Sequence, residues 1–280
     1  MAGTDAPAGS AEAARLETVL TFFREVLAGG RTELLPALVA TAYQPHVPRF
    51  AEQGAPAAGR DALRERVLAS GPIAHTVKRI IVDGDFVYAH VKYPGPIPIA
   101  GCDIFELDDA GLICAHWNVR QPISGDSARV EEHFADAPGL APGPAWPRDV
   151  LTKRIRTMLE ELWAKGDSSL VPEYYSEAYI QHNPDMPGGY RRIREVVEQN
   201  IRGYIHAAGT PFPIEIHRIG AQGDLAFVHH SIFMAGINRN EGDRSTNVDI
   251  FRINQAGLMI EHWDVLQMAS EELPTASSLF

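Results

Sequence analysis

Several things are scarce in this chain of 280 residues, and each scarcity excludes something. Cysteine occurs twice, as Cys102 and Cys114. Two cysteines make no disulfide framework, so both read as small buried hydrophobes and a reducing cytoplasm is the expected setting. No apolar run approaches the length of a membrane span, so no membrane partner is expected. The opening stretch, MAGTDAPAGSAEAA, has neither a basic start nor an apolar core. It predicts no signal peptide, and residues 1–15 read as a disordered tail. Basic residues are in the minority, 25 against 36 acidic ones, for a net charge of −11. With no basic stripe, nucleic acid is not an expected partner. Met186-Pro187-Gly188-Gly189 opens a helix but lacks the Lys-Ser/Thr ending of a phosphate loop. A hydrophobic content of 45% then describes an ordinary globular protein, long enough for two cores.

What the sequence does have is a repeat. Residues 103–121 (DIFELDDAGLICAHWNVRQ) match residues 249–267 (DIFRINQAGLMIEHWDVLQ) at a constant offset of 146. Asp103 aligns with Asp249, Phe105 with Phe251, His116 with His262 and Trp117 with Trp263. Upstream, Tyr43 and His46 align with Tyr179 and His182 at an offset of 136. Arg79, Gly84, Asp85 and His90 align with Arg218, Gly223, Asp224 and His229 at an offset of 139. Offsets that change only between blocks mark loop insertions. The repeating unit is therefore a whole domain rather than a solenoid element.

Each copy runs from helices to strands. Residues 16–29 and 150–166 have apolar positions at helical spacing and stop at glycine. A short helical segment is expected over 31–43 and 167–179, and a third helix after Gly59 and after Gly189. Strands are expected at 76–82, 86–93, 101–107 and 112–119, and again at 213–219, 225–234, 246–253 and 258–267. This is an α+β pattern. Domain 1 spans 16–123 and domain 2 spans 150–268. The Pro/Gly/Ala-rich stretch 124–149 reads as a linker and 269–280 as a tail.

The last two strands of each copy are joined by four residues, Asp108–Gly111 and Asn254–Gly257. Pairing Ile253 with Leu258 places Asp249 across from His262 and Asn247 across from Asp264. Alternation puts Asn247, Asp249, Phe251, Ile260, His262 and Asp264 on one face, with Ile250, Trp263 and Val265 on the other. The same count pairs Asp103 with His116 and Gly101 with Asn118. Each copy thus predicts a carboxylate–imidazole pair on an apolar face, suited to acid/base work or to holding a polarised ligand. Domain 2 adds a second carboxylate, Asp264, where domain 1 has Asn118. Two carboxylates in unequal surroundings can be driven to different protonation states.

The Tyr-Ile-Gln-His-Asn-Pro stretch at 179–184, the glycine opening the third helix, and the Asp-Ile-Phe-Arg…Gly-Leu…Glu-His-Trp-Asp pattern at 249–264 carry a resemblance. They resemble the SnoaL-like polyketide cyclase branch of the nuclear transport factor 2-like superfamily. The resemblance covers nearly all of 150–268 and, more weakly, 16–123. It implies two tandem cone-shaped α+β barrels, each a curved antiparallel sheet wrapped round N-terminal helices with an apolar pocket inside. It implies no metal or organic cofactor. It also implies that Asp264, in its His-Trp-Asp motif, is the acid/base of an aldol closure. Cyclases of the branch carry a His on the preceding strand, where this chain shows Asp249. Relatives usually dimerise, so two fused copies suit a dimer within one chain, with higher assemblies open.

The expected catalytic set is therefore Asp264, His262 and Asp249. His182, Tyr179, Asn247, Phe251 and His229, with Asp103 and His116 of the first copy, form the expected substrate-binding set. Each has a plain structural alternative. Asp264 also suits a strand cap, and the repeated Asp–His pair suits wiring of the hairpin. The recurrence of His182 as His46 favours anchoring a turn, and Tyr179 also suits packing. His229 and His230 are neighbours on a strand and face opposite ways. His217, His229 and His262 lack tight ligand spacing, so no metal is expected. The expected function is a cofactor-independent acid/base enzyme acting on a hydrophobic, carbonyl-bearing small molecule. Its reaction is aldol-type cyclisation, or a related isomerisation or dehydration in specialised metabolism, with domain 2 active. An epoxide or lactone hydrolase and a non-catalytic small-molecule binder are the rivals.

Overall fold

The computed structural model describes residues 10–46, 58–140, 143–183, 188–233 and 244–269. The chain divides into two compact units, domain 1 running to Ser124 and domain 2 over Gly125–Met268. Of the expected tails at 1–15 and 269–280, residues 1–9 and 270–280 lie outside the described residues.

In domain 1, Ser10 caps helix α1 (Ala11–Thr21) by accepting the Ala13 N–H at 3.1 Å. The helix therefore starts inside the stretch expected to be disordered. It continues in wider π-helical turns over Phe22–Leu27. α2 (Leu35–Leu38) stops where the chain turns β-branched, and β1 (Val39–His46) follows. α3 (Arg60–Ser70) precedes β2 (Thr76–Asp83), β3 (Phe86–Tyr93), β4 (Ile99–Leu107) and β5 (Ile113–Pro122). The strand order is β1-β5-β4-β3-β2, and β1 lies parallel to β5.

Domain 2 repeats this plan. α5 (Arg148–Thr157), α6 (Val171–Tyr174), β6 (Tyr175–Gln181), α7 (Tyr190–Glu195) and α8 (Arg202–Ala208) come first. Then come β7 (Ile214–Gln222), β8 (Leu225–Phe233), β9 (Arg244–Ile253) and β10 (Met259–Ala269), in the order β6-β10-β9-β8-β7. Two expectations change here. Residues 39–43 and 175–179 are strand rather than helix, because pairing with the last strand outweighs local propensity. Each sheet is therefore mixed rather than antiparallel, and open rather than a closed barrel, with β1 and β2, or β6 and β7, at its edges.

The stretch expected as a linker carries α4 (Ser127–Phe134), and the residues after it bind the domain 2 sheet. Ala137 N–H donates to Glu261 Oε1 at 2.6 Å, and Trp263 Nε1–H donates to the Ala135 carbonyl at 2.8 Å.

The helices of each domain pack on one face of its sheet. Val19, Phe22, Phe23 and Val26 meet Val87, Ala89, Val91 and Phe105 in domain 1. Ile155, Met158, Leu159 and Leu162 meet Ala226, Val228 and Phe251 in domain 2. Phe105 and Phe251 place the face that carries Asp103, Asp249 and their histidines on this inner, helix-covered side.

The hairpin register differs from the expected one by two residues. Asp108 N–H bonds the Leu112 carbonyl, and Gly111 N–H returns to the Asp108 carbonyl, so the loop holds three residues rather than four. Gly111, at φ +75°, supplies the left-handed residue this closure needs. A bulge at Cys114 adds the second displacement. Asp103 consequently lies opposite Asn118, His116 opposite Phe105 and Gly101 opposite Arg120. A shift by an even number leaves every side chain on its predicted face. The Asp–His pair survives as a diagonal neighbour. The second loop closes the same way, from Asn254 to Leu258 with Gly257 at φ +80°.

Candidate active site

Asp249, on β9, is the centre of the domain 2 site. Its Oδ2 meets His230 Nε2 at 2.9 Å and its Oδ1 lies 3.3 Å from His262 Nε2. His262 stacks on Phe251 with ring centroids 4.6 Å apart. Asp264, one alternation further along β10, lies with Oδ2 3.9 Å from His262 Nδ1. Gln181 and Asn183 complete the group. Gln181 Nε2 donates to His262 Nδ1 at 2.8 Å and reaches Asp264 Oδ2 at 3.4 Å, while Asn183 Nδ2 donates to Asp264 Oδ1.

The orientation of Gln181 settles the His262 tautomer. The Asn183 backbone N–H donates to Gln181 Oε1 at 3.0 Å, so the amide nitrogen must face His262. An amide nitrogen only donates, so Nδ1 accepts and the ring proton sits on Nε2. His262 Nε2–H faces Asp249 at a long 3.3 Å, while His230 Nδ1 and the Tyr179 hydroxyl are buried without a hydrogen-bond partner. Two orphaned polar atoms beside one carboxylate pair call for an explanation, since buried polar groups are normally bonded.

The two carboxyls are driven apart. Burial raises Asp249, but the charge and hydrogen bond of His230, then His262, overcome it and hold its pKa well below the ordinary carboxylate value. Burial also raises Asp264, and the Asp249 charge adds to it. His262, Asn183 and Gln181 pull the other way, and the result is pushed up to about 6. For His262, burial lowers the pKa, but the hydrogen bond and charge of Asp249, then Asp264, raise it. The Gln181 amide opposes that rise, because an N–H pair cannot face a protonated Nδ1. Burial, with the charges of Tyr175, Asp264 and Asp249, holds the Tyr179 phenol well above its usual value.

The predicted residues sort clearly by place. Asp249, His262, Asp264, Phe251 and Tyr179 come together, with Tyr179 and His262 rings stacked at 6.4 Å. Asn247 lies on the same face, opposite His230, and donates to Ser245 Oγ at 3.0 Å. Two residues of the binding set do not join them. His182 points to the other face, stacked on Trp263 at 4.8 Å and bonded to Glu261 Oε1 at 2.9 Å. His229 also points away, held by Arg218 Nη1 at 2.9 Å and Thr246 Oγ1 at 3.0 Å. Strand parity explains both corrections. His229 pairs with Val248 and His230 with Asn247, so it is His230 that shares the face of Asp249. Likewise Gln181 pairs with His262 across the parallel β6–β10 ladder, which turns His182 outward. His230, Gln181 and Asn183 were missed. Once 175–181 is recognised as a strand, alternation from Tyr179 picks out Gln181 and Asn183.

Asp103 and His116 make the matching pair in domain 1, with His116 Nε2 at 2.8 Å from Asp103 Oδ1. There Tyr43 OH meets His116 Nδ1 at 3.2 Å, Asn118 Nδ2 donates to Asp103 Oδ1 at 2.6 Å, and Tyr93 OH donates to Asp103 Oδ2 at 2.6 Å.

Asp249, His262 and Asp264 each offer a ligand atom within 4.8 Å of the others, so the same trio has the spacing to hold a metal ion. Gln181 and Asn183 already donate to two of the three, which favours a proton over a cation in that space. Among the described residues, no helix is long and apolar enough to cross a membrane.

Comparison with known proteins adds the following. The model of the SnoaL-like domain matches residues 19–116 and again 155–262. Curated proteins give no match. Among solved structures, IdmH of Streptomyces antibioticus, a proposed polyketide cyclase, is 19% identical with a TM-score of 0.33, over 38% of this chain and 91% of its own. A proposed ketosteroid isomerase from Kribbella flavida is 20% identical with a TM-score of 0.35, over 48% and 96%. An NTF-2-like protein from Burkholderia xenovorans is 17% identical with a TM-score of 0.37, over 47% and 100%.

Proposed function

The chain belongs to the SnoaL-like domain family, and from that premise we propose that domain 2 is an acid/base enzyme acting on a hydrophobic, carbonyl-bearing small molecule. One observation carries the proposal. Two buried carboxyls flank one imidazole and are held at opposite ends of the carboxyl range, with Asp264 at about 6. A carboxyl poised near neutral pH is strong enough as a base and still largely ionised. A permanently ionised Asp249 orients His230 and His262 without itself taking up the proton.

The chemistry follows from the atoms left unpartnered. Ionised Asp264 removes a proton from the carbon beside the carbonyl. The electron pair moves onto the carbonyl oxygen. The Tyr179 hydroxyl, buried and unpaired, and His262 Nε2–H, shared loosely with Asp249 at 3.3 Å, donate to the resulting enolate oxygen. In a ring closure the enolate carbon then bonds a second carbonyl carbon of the same molecule, whose π pair moves onto its oxygen, and Asp264 returns the proton to that oxygen. In an isomerisation Asp264 returns the proton at another carbon. His230 Nδ1 offers a further lone pair on the same face, with its ring oriented by Asp249.

The test is a bound-ligand census on the natively purified chain and on Asp264→Asn. A cyclised or isomerised molecule on the native chain, with its precursor accumulating on the variant, is expected. The same unchanged molecule on both would make domain 2 a binder. Incorporation of oxygen-18 from water into product would instead make it a hydrolase.

A further inference from the structure

Domain 1 keeps the carboxylate–imidazole pair but fills the space in front of it with one of its own side chains. Tyr93 is the last residue of β3. It is 7% exposed, and its hydroxyl donates to Asp103 Oδ2 at 2.6 Å. The phenol ring lies directly over Gly101 on the neighbouring strand. A Cβ added at Gly101 would stand 2.6 Å from Tyr93 Cε2, closer than side-chain atoms approach, so only glycine admits the ring there. Arg120 covers the ring with its guanidinium carbon 5.1 Å from the centroid. The apolar wall is the cluster that holds Phe23, Ile73, Val77 and Ile99.

The second copy shows that this is a substitution and not a fixed part of the fold. The ladders align the two domains residue by residue. Tyr93 pairs with Ile99 as Ile232 pairs with Ser245, and Val91 pairs with Gly101 as His230 pairs with Asn247. Domain 2 thus carries Ile232 in place of the phenol, Asn247 in place of the glycine beneath it and Leu266 in place of the covering arginine. The three residues that seat the phenol in domain 1 are replaced together. The carboxylate that receives it is kept.

We propose that the Asp103–His116–Asn118 pocket of domain 1 is a binding site for a phenolic hydroxyl, occupied by the chain's own Tyr93, and that shortening Tyr93 opens it to a free phenol. Truncation leaves a cavity of known shape, walled by apolar side chains and an arginine. At its end stands a carboxylate already held by the imidazole and an amide. An apolar cavity accepts any small aromatic ring. This one adds a buried charged acceptor, so it discriminates for a ring bearing a hydroxyl over the same ring without it. The inference concerns domain 1 alone and stands whether or not domain 2 turns over a substrate.

The experiment uses the full chain with Tyr93→Ala, and p-cresol and toluene as probes. p-Cresol is the deleted side chain itself, and toluene is that side chain without its hydroxyl. Binding is measured by calorimetry and by the rise in Tm, and any p-cresol binding shared with the native chain is subtracted. p-Cresol is expected to bind the variant at least about tenfold more tightly than toluene, the weight of a hydrogen bond to a charged group. That preference is expected to vanish in Tyr93→Ala/Asp103→Asn. Equal affinities would show an apolar void with no built hydroxyl site, and absence of binding would show that the space collapses. Either result overturns the proposal. If Tyr93→Ala does not fold unaided while Tyr93→Phe does, p-cresol must rescue refolding and toluene must not. Rescue by neither overturns the proposal equally.

Discussion

The two domains start from one plan and leave their central carboxylate in opposite conditions. In domain 1, Asp103 is bonded by His116, Asn118 and Tyr93, and the imidazole's second nitrogen by Tyr43. In domain 2, Asp249 is flanked by His230 and His262, and the face keeps His230 Nδ1 and the Tyr179 hydroxyl buried with no partner. A closed network stabilises a fold and has nothing left to offer a ligand. An open one costs stability and is poised to bond something else. The features common to both copies say what the scaffold needs. Histidine stacks on phenylalanine at 4.3 Å in one and 4.6 Å in the other. Histidine stacks on tryptophan at 4.5 and 4.8 Å. Arginine bonds histidine at 3.1 and 2.9 Å. The recurrence of His46 and His182 therefore belongs to the hairpin's wiring. The departures, Asn118 against Asp264, Val91 against His230 and Pro45 against Gln181, belong to the site.

The largest effect expected from breaking this contrast is on turnover. Asp264→Asn makes domain 2 resemble domain 1 at the decisive position. It is expected to lower product formation by about 100- to 10,000-fold, the range of general acid–base catalysis. Asp103→Asn is expected to leave product formation unchanged. Quantifying product from both variants checks this, and the reverse pattern would place the chemistry in domain 1.

Stability is expected to move the opposite way, with a definite pH dependence. The folded-state pKa of Asp264 is raised from 3.8 to about 6. Its ionisation therefore costs nothing below about pH 4, an increasing amount up to about pH 6, and its full weight above that. The full weight is roughly 3 kcal/mol. Asp264→Asn is expected to raise Tm at pH 7 and to leave it nearly unchanged at pH 4. Asp249 has a lowered pKa, so its stabilising contribution is present above about pH 4 and is lost on acidification. Asp249→Asn is expected to lower Tm at pH 7. Thermal unfolding of the full chain at the two pH values reads both signs, and a loss of stability in Asp264→Asn at pH 7 would contradict the strained carboxyl.

The adjacent histidines divide the two roles on one strand. His229→Phe removes a hydrogen-bond partner from the half-buried Arg218 and from Thr246, so about 1–3 kcal/mol of stability should be lost. His230→Phe also loses some stability, but its signature is functional. Only this variant should change the pH profile of product formation, because it alone faces Asp249. Chemical denaturation alongside a pH–rate profile for each variant separates the two.

How much of this was legible in the sequence depended on parity and on pairing. The repeat marked two domains, and alternation along 247–264 put the right side chains on the right face. In domain 1 the same alternation survived a two-residue register error because an even slip preserves faces. The bulge at Cys114 has no signature in composition. The parallel strand at 175–181 was hidden because its stability comes from a partner some eighty residues away. Without it, Gln181 and Asn183 were invisible and His182 was assigned to the wrong face. His230 was lost differently. Matching the copies favours what they share, and His229 has a counterpart in His90 whereas His230 replaces Val91.

The smallest expected effect probes what the domains have in common. Gly111 and Gly257 hold φ +75° and +80° in loops closed by the same hydrogen bonds. A side chain in that region costs about 1 kcal/mol. Around Gly111 an added Cβ meets nothing within 4 Å, so Gly111→Ala should lose that amount and no more. At Gly257 the Cβ would touch Arg154 Nε at 3.4 Å, and the same arginine donates to the Gly257 carbonyl at 2.7 Å. Gly257→Ala should therefore lose slightly more, because the arginine anchor must give. Equilibrium denaturation resolves the difference. A much larger loss at Gly257 would mean that the loop closing the domain 2 hairpin is braced by Arg154 rather than by its own turn, and that the shared scaffold has already diverged where the backbones look alike.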